Sequence, residues 1–265
     1  MSLEVVVNFQ VVAEADDWIV VNKPAPLIVH PANRKPEPTL LGGLEQLLAY
    51  EIKNGARLGI ITRLDRETSG LVLIAKNIEA AREFGWVFER REAKKEYLAI
   101  VHGWPREDTW DCEEPIIRAA ELGPSAIWVR QVTSDQGRSC QTGFRVERRF
   151  ERPEGRFSLI RCFPKTGRMH QIRVHLAISG YPIVGDKIYS GDGTEYLEWM
   201  SEGWTASLQE RLILPRHALH AVRLEVPWRA VCLSWEAELS TELADFIENK
   251  ISEPRPDLVI WSRHD

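Results

Sequence analysis

The chain has 265 residues, 44% hydrophobic and 28% charged, the composition of a folded globular protein with a substantial core. No apolar run reaches the roughly 18 residues that a membrane helix needs. The start MSLEVVVNFQ also lacks the basic and apolar stretches of a signal peptide, so a cytoplasmic protein without membrane association is expected. A net charge of −5 argues against a uniformly basic nucleic-acid binder, yet charge is segregated: residues 138–175 hold ten Lys/Arg against three Asp/Glu. Phosphate contacts need local basic density rather than a basic whole, so RNA binding stays open.

In chain order, the first forty residues read as strands joined by turns. The apolar run Trp18–Val21 ends at Asn22-Lys23-Pro24, and a second run, Leu27–Val29, ends at His30-Pro31. Thr39 is placed to cap a helix whose leucines at 40, 41, 44, 47 and 48 follow helical spacing. Leu71–Ala75 predicts a buried strand. Asn77 predicts the cap of a helix to about Arg90, with Ala81, Phe84 and Phe88 on one face. Strands are expected over 96–102, 127–132, 140–147 and 156–163.

A helix is expected from near Gly167 to Gly180, with Met169, Ile172 and Leu176 as its core stripe. Arg173 lies beside that stripe and, pointing inward, would need an anionic partner. Residues 190–215 read as an irregular, Trp-containing insertion. The segments 219–226 and 231–239 read as a hairpin, a short helix follows near Ser240, and the last dozen residues read as loose. Strands outnumber helices and do not alternate with them. The expected fold class is therefore α+β with a mixed, largely antiparallel sheet and flanking helices, in a single domain over 1–265.

Cys112, Cys140, Cys162 and Cys232 form no C-x-x-C pair, which fits reduced thiols and argues against a zinc ribbon. No phosphate-binding loop, dinucleotide fingerprint or G-x-S-x-G elbow is present. His170 and His175 are five apart, and His217 and His220 have no acidic or thiol ligand close by in sequence, so no metal site is expected. Three segments are polar and crowded beyond what a plain element needs: Thr62–Gly70, Lys94–Tyr97 and Lys165–His175. Asp65 stands between Arg63 and Arg66, which would keep its carboxylate ionised. Taken alone, that arrangement reads as a surface turn with an ion pair, and Tyr97 alone as half-buried packing.

Together the segments carry more. Asn22-Lys23-Pro24 with Val29-His30-Pro31, Arg63-Leu64-Asp65-x-x-Thr68-Ser69-Gly70-Leu71 and Lys95-x-Tyr97 closely resemble the ordered motifs of RluA-type pseudouridine synthases. Thr166-Gly167-Arg168-x-His170-Gln171-Ile172-Arg173-x-His175-Leu176, Pro182-Ile183-x-Gly185-Asp186-x-x-Tyr189 and Leu219-His220-Ala221 continue the series over about 17–225. The chain departs from the family pattern at Thr62, where histidine is usual, at Pro26 and at Ser190, where glycine is common. No S4 RNA-binding domain is expected before residue 17.

The resemblance implies an RNA pseudouridine synthase acting on uridines of rRNA or tRNA. The product is an isomer, so no cofactor is expected. Asp65 is implied as the catalytic carboxylate, Arg173 as the residue that pairs with it, and Tyr97 as the ring that stacks on the uracil and relays the C5 proton. The implied RNA contacts are Arg63, Lys23, Lys95 and Arg168, with Lys94 and the arginines of 138–161 as further phosphate candidates. Monomer is the default expectation. Two rivals remain: an RNA-binding protein that uses the fold without the chemistry, and a glycosidase-type hydrolase that would need a second carboxylate such as Glu67 or Glu96.

Overall fold

The computed structural model describes residues 7–31 and 37–249, so the expected loose last dozen residues lie outside it. The chain divides into two units, Met1–Tyr97 with His220–Ser240 and Leu98–Leu219 with Thr241–Asp265.

The first unit holds β1 (Gln10–Glu14), β2 (Trp18–Lys23), α1 (Leu40–Leu47), α2 (Ala49–Lys53), β3 (Gly59–Ile60), β4 (Ser69–Ala75), α3 (Ile78–Glu89) and the start of β5 (Lys94–His102). β2 lies between β1 and β4, antiparallel to both, and β3 adds to β4. All seven residues of β4 are buried, because both of its faces are covered. Side chains alternate across a strand, so Trp18, Val20, Leu71, Leu73 and Ala75 join one core with Ala80 and Phe84 of α3. Ile19, Val21, Val72 and Ile74 join another with Leu40, Leu44 and Leu48. Thr39 Oγ1 accepts from the Gly42 amide at 3.0 Å and Asn77 Oδ1 from the Ala80 amide at 2.8 Å, so both expected caps form. Ala80, rather than Ala81, supplies the helix's fully buried alanine.

The second unit continues with β6 (Thr109–Cys112), β7 (Ile116–Arg118), α4 (Ala119–Leu122), β8 (Gln131–Thr133), β9 (Thr142–Arg152), β10 (Gly155–Pro164), α5 (Gln171–Ile178), α6 (Thr194–Glu202) and α7 (Ala206–Leu212). β9 pairs antiparallel with both β6 and β10, and β7 pairs with β8 in a small separate sheet. The strand expected over 127–132 is reduced to Gln131–Thr133, because the Arg130 amide turns back to the Ile127 carbonyl. The stretch 190–215 is not irregular: it forms α6 and α7, the latter capped by Thr205.

β11 (Leu219–Trp228) and β12 (Val231–Glu236) return the chain to the first unit as an antiparallel hairpin, and α8 (Thr241–Ile247) follows in the second. β11 pairs with β4 in parallel, setting His220 beside Ser69 and Ala221 beside Gly70. The fold is thus α+β with a mixed, mostly antiparallel sheet, as the element order suggested.

At Gly70, β4 lies close against β11. It has φ +112°, and a Cβ there would lie 2.3 Å from the Ala221 carbonyl oxygen. Gly70→Ala is expected to cost about 2–5 kcal/mol, combining backbone strain with a clash that neither strand can relieve alone. Urea unfolding at pH 7 checks this; an unchanged midpoint would contradict the close approach.

Candidate active site

In the first unit, Asp65 opens the turn that leads into β4. The Thr68 amide donates to the Asp65 carbonyl at 3.1 Å, the closing bond of a β-turn, and aspartate suits its first position. The Asp65 side chain is half-buried, whereas Arg63 is exposed. Two sets of bonds hold this turn. The Arg66 carbonyl accepts from the Leu27 amide at 2.9 Å and from Lys23 Nζ at 3.3 Å. Lys23 Nζ also donates to the carbonyls of Leu27 at 2.7 Å and Pro24 at 3.0 Å. On the other side, Thr62 Oγ1 accepts from the Leu73 amide at 2.9 Å.

Lys23 therefore corrects one expectation. It is completely buried and its ammonium binds three carbonyls, so its charge fastens the segment around 24–27 to the aspartate turn instead of meeting a phosphate. Arg63 Nη1 lies 3.3 Å from His30 Nε2. His30 Nδ1 lies 3.0 Å from the Pro31 carbonyl, which can only accept, so Nδ1 carries the proton and Nε2 accepts from Arg63.

Tyr97 is half-buried on β5. Its neighbour Lys95 is desolvated by burial, which pushes its ammonium down to about 8. Lys94 is exposed and pairs with Glu225 at 3.3 Å.

In the second unit, α5 starts only at Gln171, because His170 takes a left-handed conformation with φ 57°. Met169 therefore precedes the helix and is exposed, contrary to the expected core stripe, whereas Ile172 and Leu176 are buried. The helix is buried nearly all round, so its polar residues must be satisfied inside. The Gln171 amide does this completely. Its Nε2 donates to the Gln141 carbonyl and Thr142 Oγ1, each at 2.9 Å, and its Oε1 accepts from Thr166 Oγ1 at 2.7 Å and the Arg168 amide at 3.0 Å. His175 lies 3.0 Å from both Thr142 Oγ1 and the Glu114 carbonyl, and burial lowers its pKa. Both are framework residues.

Arg173 finds the anionic partner its position demanded. Its Nε donates to Asp186 Oδ2 at 2.6 Å and its Nη2 to Oδ1 at 2.9 Å, a bidentate pair between side chains 6% and 0% exposed. Asp186 Oδ1 also accepts from the amides of Ile188 at 3.0 Å and Tyr189 at 3.1 Å. Burial by itself would raise the Asp186 carboxyl. The charge and hydrogen bonds of Arg173, with the Ile188 amide, outweigh it and hold the group below the usual carboxylate range. The turn into Asp186 depends on Gly185, at φ 78°, where a Cβ would sit 2.0 Å from the Arg216 carbonyl oxygen.

The Arg173 guanidinium lies 5.0 Å from the centre of the Tyr189 ring. Tyr189 Oη accepts from the Gln131 amide at 2.9 Å and lies 2.8 Å from His170 Nδ1. His217 is buried here. Burial, and then the charges of Arg173, Arg216 and Lys187, push its pKa well down. Lys187 donates to the Pro215 carbonyl at 2.5 Å and lies 5.0 Å from the Trp199 ring and 5.7 Å from that of Trp204, which ties the α6–α7 segment to the Asp186 turn. Sequence reasoning gave no role to Asp186, Tyr189 or His170. The signal available was the unmet need of Arg173 together with Gly185-Asp186.

The basic stretch 138–161 also reads differently in three dimensions. Arg145 and Arg161 share Glu147, Arg148 meets Glu248, Arg149 meets Asp108, Arg152 meets Glu154 and Arg156 meets Glu151. Each of these arginines has a carboxylate within ion-pair distance, which a phosphate would have to displace. Arg168 is half-exposed, with Nη2 at 3.4 Å from the Ser139 carbonyl. Among the described residues no group of three or more His, Cys, Asp or Glu is arranged to hold a metal, and no helix is long and apolar enough to cross a membrane.

The first unit thus holds Asp65 in a fastened turn, and the second holds a buried arginine on its own carboxylate. The chain belongs to the RNA pseudouridylate synthase family, whose model matches residues 17–178. Among curated relatives, it is 32% identical to the ribosomal large subunit pseudouridine synthase D of Nitrosomonas europaea over 245 residues, covering 91% of this chain and 65% of the relative. It is equally 32% identical to the protein of that name from Escherichia coli K12, covering 91% of this chain and 70% of the relative. The chain thus spans about two thirds of the length of these relatives.

Among solved structures it is similar to human RNA pseudouridylate synthase domain containing 1, with a TM-score of 0.65, 25% identity and coverage of 97% and 100%. Human RNA pseudouridylate synthase domain containing 4 has the same fold, with a TM-score of 0.68, 24% identity and coverage of 89% and 90%. The family resemblance of the motifs is borne out.

Proposed function

We propose that this chain converts uridine to pseudouridine in RNA, with large-subunit rRNA as the first substrate to test. The observation that carries the reading is the fastened turn of Asp65, in a chain of this family: Lys23 and Leu27 hold it from one side and β4 continues it on the other. The reaction breaks N1–C1′, turns the uracil over and joins C5 to C1′, with N1 gaining a proton and C5 losing one. Asp65 attacks C1′, adds to the base or takes the C2′ proton; each route needs the ionised carboxylate in a largely dry pocket. Arg173 is proposed as its counter-charge, and Tyr97 as the ring that stacks on the uracil and relays the C5 proton.

The target must leave its stack to reach such groups, at a cost of a few kcal/mol. Arg63, exposed beside the turn, is proposed to fill the space vacated or to contact the flipped nucleotide, and Lys95 and Arg168 to contact phosphates. Residues 1–265 are read as one catalytic body, monomeric, working in the cytoplasm without a cofactor.

The test is tritium release from [5-³H]uridine-labelled large-subunit rRNA and, separately, tRNA. Release from either one supports the synthase and ranks the substrates. Free uracil as product would instead favour hydrolysis, and tight binding without release would favour a binding protein.

Lys95 gives a further expectation. Its ammonium titrates near 8, so a phosphate contact made by it weakens as pH rises through that value. RNA affinity of the wild type should fall more steeply than that of Lys95→Arg from about pH 7 to about pH 9, since arginine stays charged throughout. Parallel pH profiles by fluorescence anisotropy would remove Lys95 from the interface.

A further inference from the structure

Trp128 is 68% exposed, a large apolar ring that the fold does not need on its surface. Its neighbours turn the other way: Ile127 is buried in the core of the second unit and Val129 packs against that core. The Arg118 guanidinium lies 5.1 Å from the centre of the Trp128 ring. Arg118 Nε makes no hydrogen bond among the described residues, so the ring and not an acceptor accompanies this end of the side chain.

The surrounding charge differs from that of the β9–β10 hairpin. There the arginines meet carboxylates, whereas Arg118, Arg138 and Arg168 have none within ion-pair distance among the described residues. These three belong to one locality. Arg118 lies opposite Gln131 in the β7–β8 pair, Arg138 bridges Ile116, and Arg168 reaches the Ser139 carbonyl. The same locality touches the Arg173 cluster, because the Gln131 amide donates to Tyr189 Oη. Trp128 is three residues from Gln131, at most about 10 Å along the chain.

An exposed aromatic ring against one arginine, with two more arginines lacking carboxylates in the same part of the unit, matches the chemistry of an unpaired nucleobase with its phosphates, since every base offers a face to stack and every linkage an anion. We propose that Trp128, backed by Arg118, is a stacking platform for one unpaired base of the RNA substrate, with Arg138 and Arg168 on the adjoining phosphates. The proposal deepens the pseudouridine synthase reading and rests on it.

The test uses the full chain, with fluorescein-labelled 12-nucleotide oligouridylate for binding and tritium-labelled large-subunit rRNA for turnover. Trp128→Ala should weaken oligouridylate about tenfold or more and raise KM on the rRNA similarly with kcat retained, the size of one lost base stack. Trp128→Phe, which keeps a stacking face, should lose less than about threefold. The unfolding midpoint of each variant should match the wild type, because the ring is outside the core. Unchanged binding and KM in Trp128→Ala would overturn the platform, and so would equal losses in the alanine and phenylalanine variants. If the wild type releases no tritium from either RNA while the alanine variant still loses oligouridylate binding, the platform stands and the synthase reading falls.

Discussion

Replacing Asp65 with asparagine is expected to lower tritium release from labelled RNA by at least about a thousandfold, leaving the folded protein and its RNA affinity close to wild type. The size follows from the chemistry: in each of the three routes the carboxylate makes a bond or takes a proton, and an amide does neither. The structural effect should be small because the turn uses the Asp65 backbone carbonyl, which accepts from the Thr68 amide and is present in asparagine too. Asparagine is also favoured at the first position of a turn. Single-turnover release compared with equilibrium binding separates the two effects. Release at the wild-type rate from Asp65→Asn would mean that another group performs the chemistry.

Asp186→Ala should be among the most destabilising substitutions in the second unit, costing about 3–5 kcal/mol, because it strips a buried arginine of its bidentate partner. It also leaves the amides of Ile188 and Tyr189 without their acceptor. Asp186→Asn keeps the shape but not the charge, and should fall between the two.

The acid limb of the stability profile provides a second readout. Asp186 has a folded pKa below that of the unfolded chain, so its contribution is complete above about pH 4 and is lost only as pH falls through the lower folded value. The wild type should keep this increment at neutral pH and shed it on acidification, and neither variant should have it to lose. Denaturant unfolding across pH measures both effects. A midpoint for Asp186→Ala within experimental error of the wild type would contradict the buried pair.

These expectations rest on local features that differ in how far they could be read from the chain. Thr39 and Asn77 were legible as caps because a cap is a local event: an acceptor side chain two or three residues before unsatisfied amides. Leu71–Ala75 was legible as a buried strand because a continuous apolar run suits a strand covered on both faces. The helix start near Gly167 was misplaced by four residues, since the left-handed His170 is held by tertiary partners that no spacing rule contains. The interval 190–215 was read as an irregular insertion, whereas its helices are fastened by contacts such as Lys187 with Trp199 and Trp204.

The site divides in the same way. The sequence by itself determined the family, the candidate aspartate and the need of Arg173 for an anion, because motif identity and helical position are properties of order along the chain. Only the tertiary structure decided that Asp186 meets that need, that Lys23 is a buried clamp and that the arginines of 138–161 mostly have carboxylates beside them. Each of these depends on which groups, near or far in sequence, the fold brings within about 3.5 Å, and both the energy of a charge and its availability to RNA follow from those neighbours and from the water excluded around it.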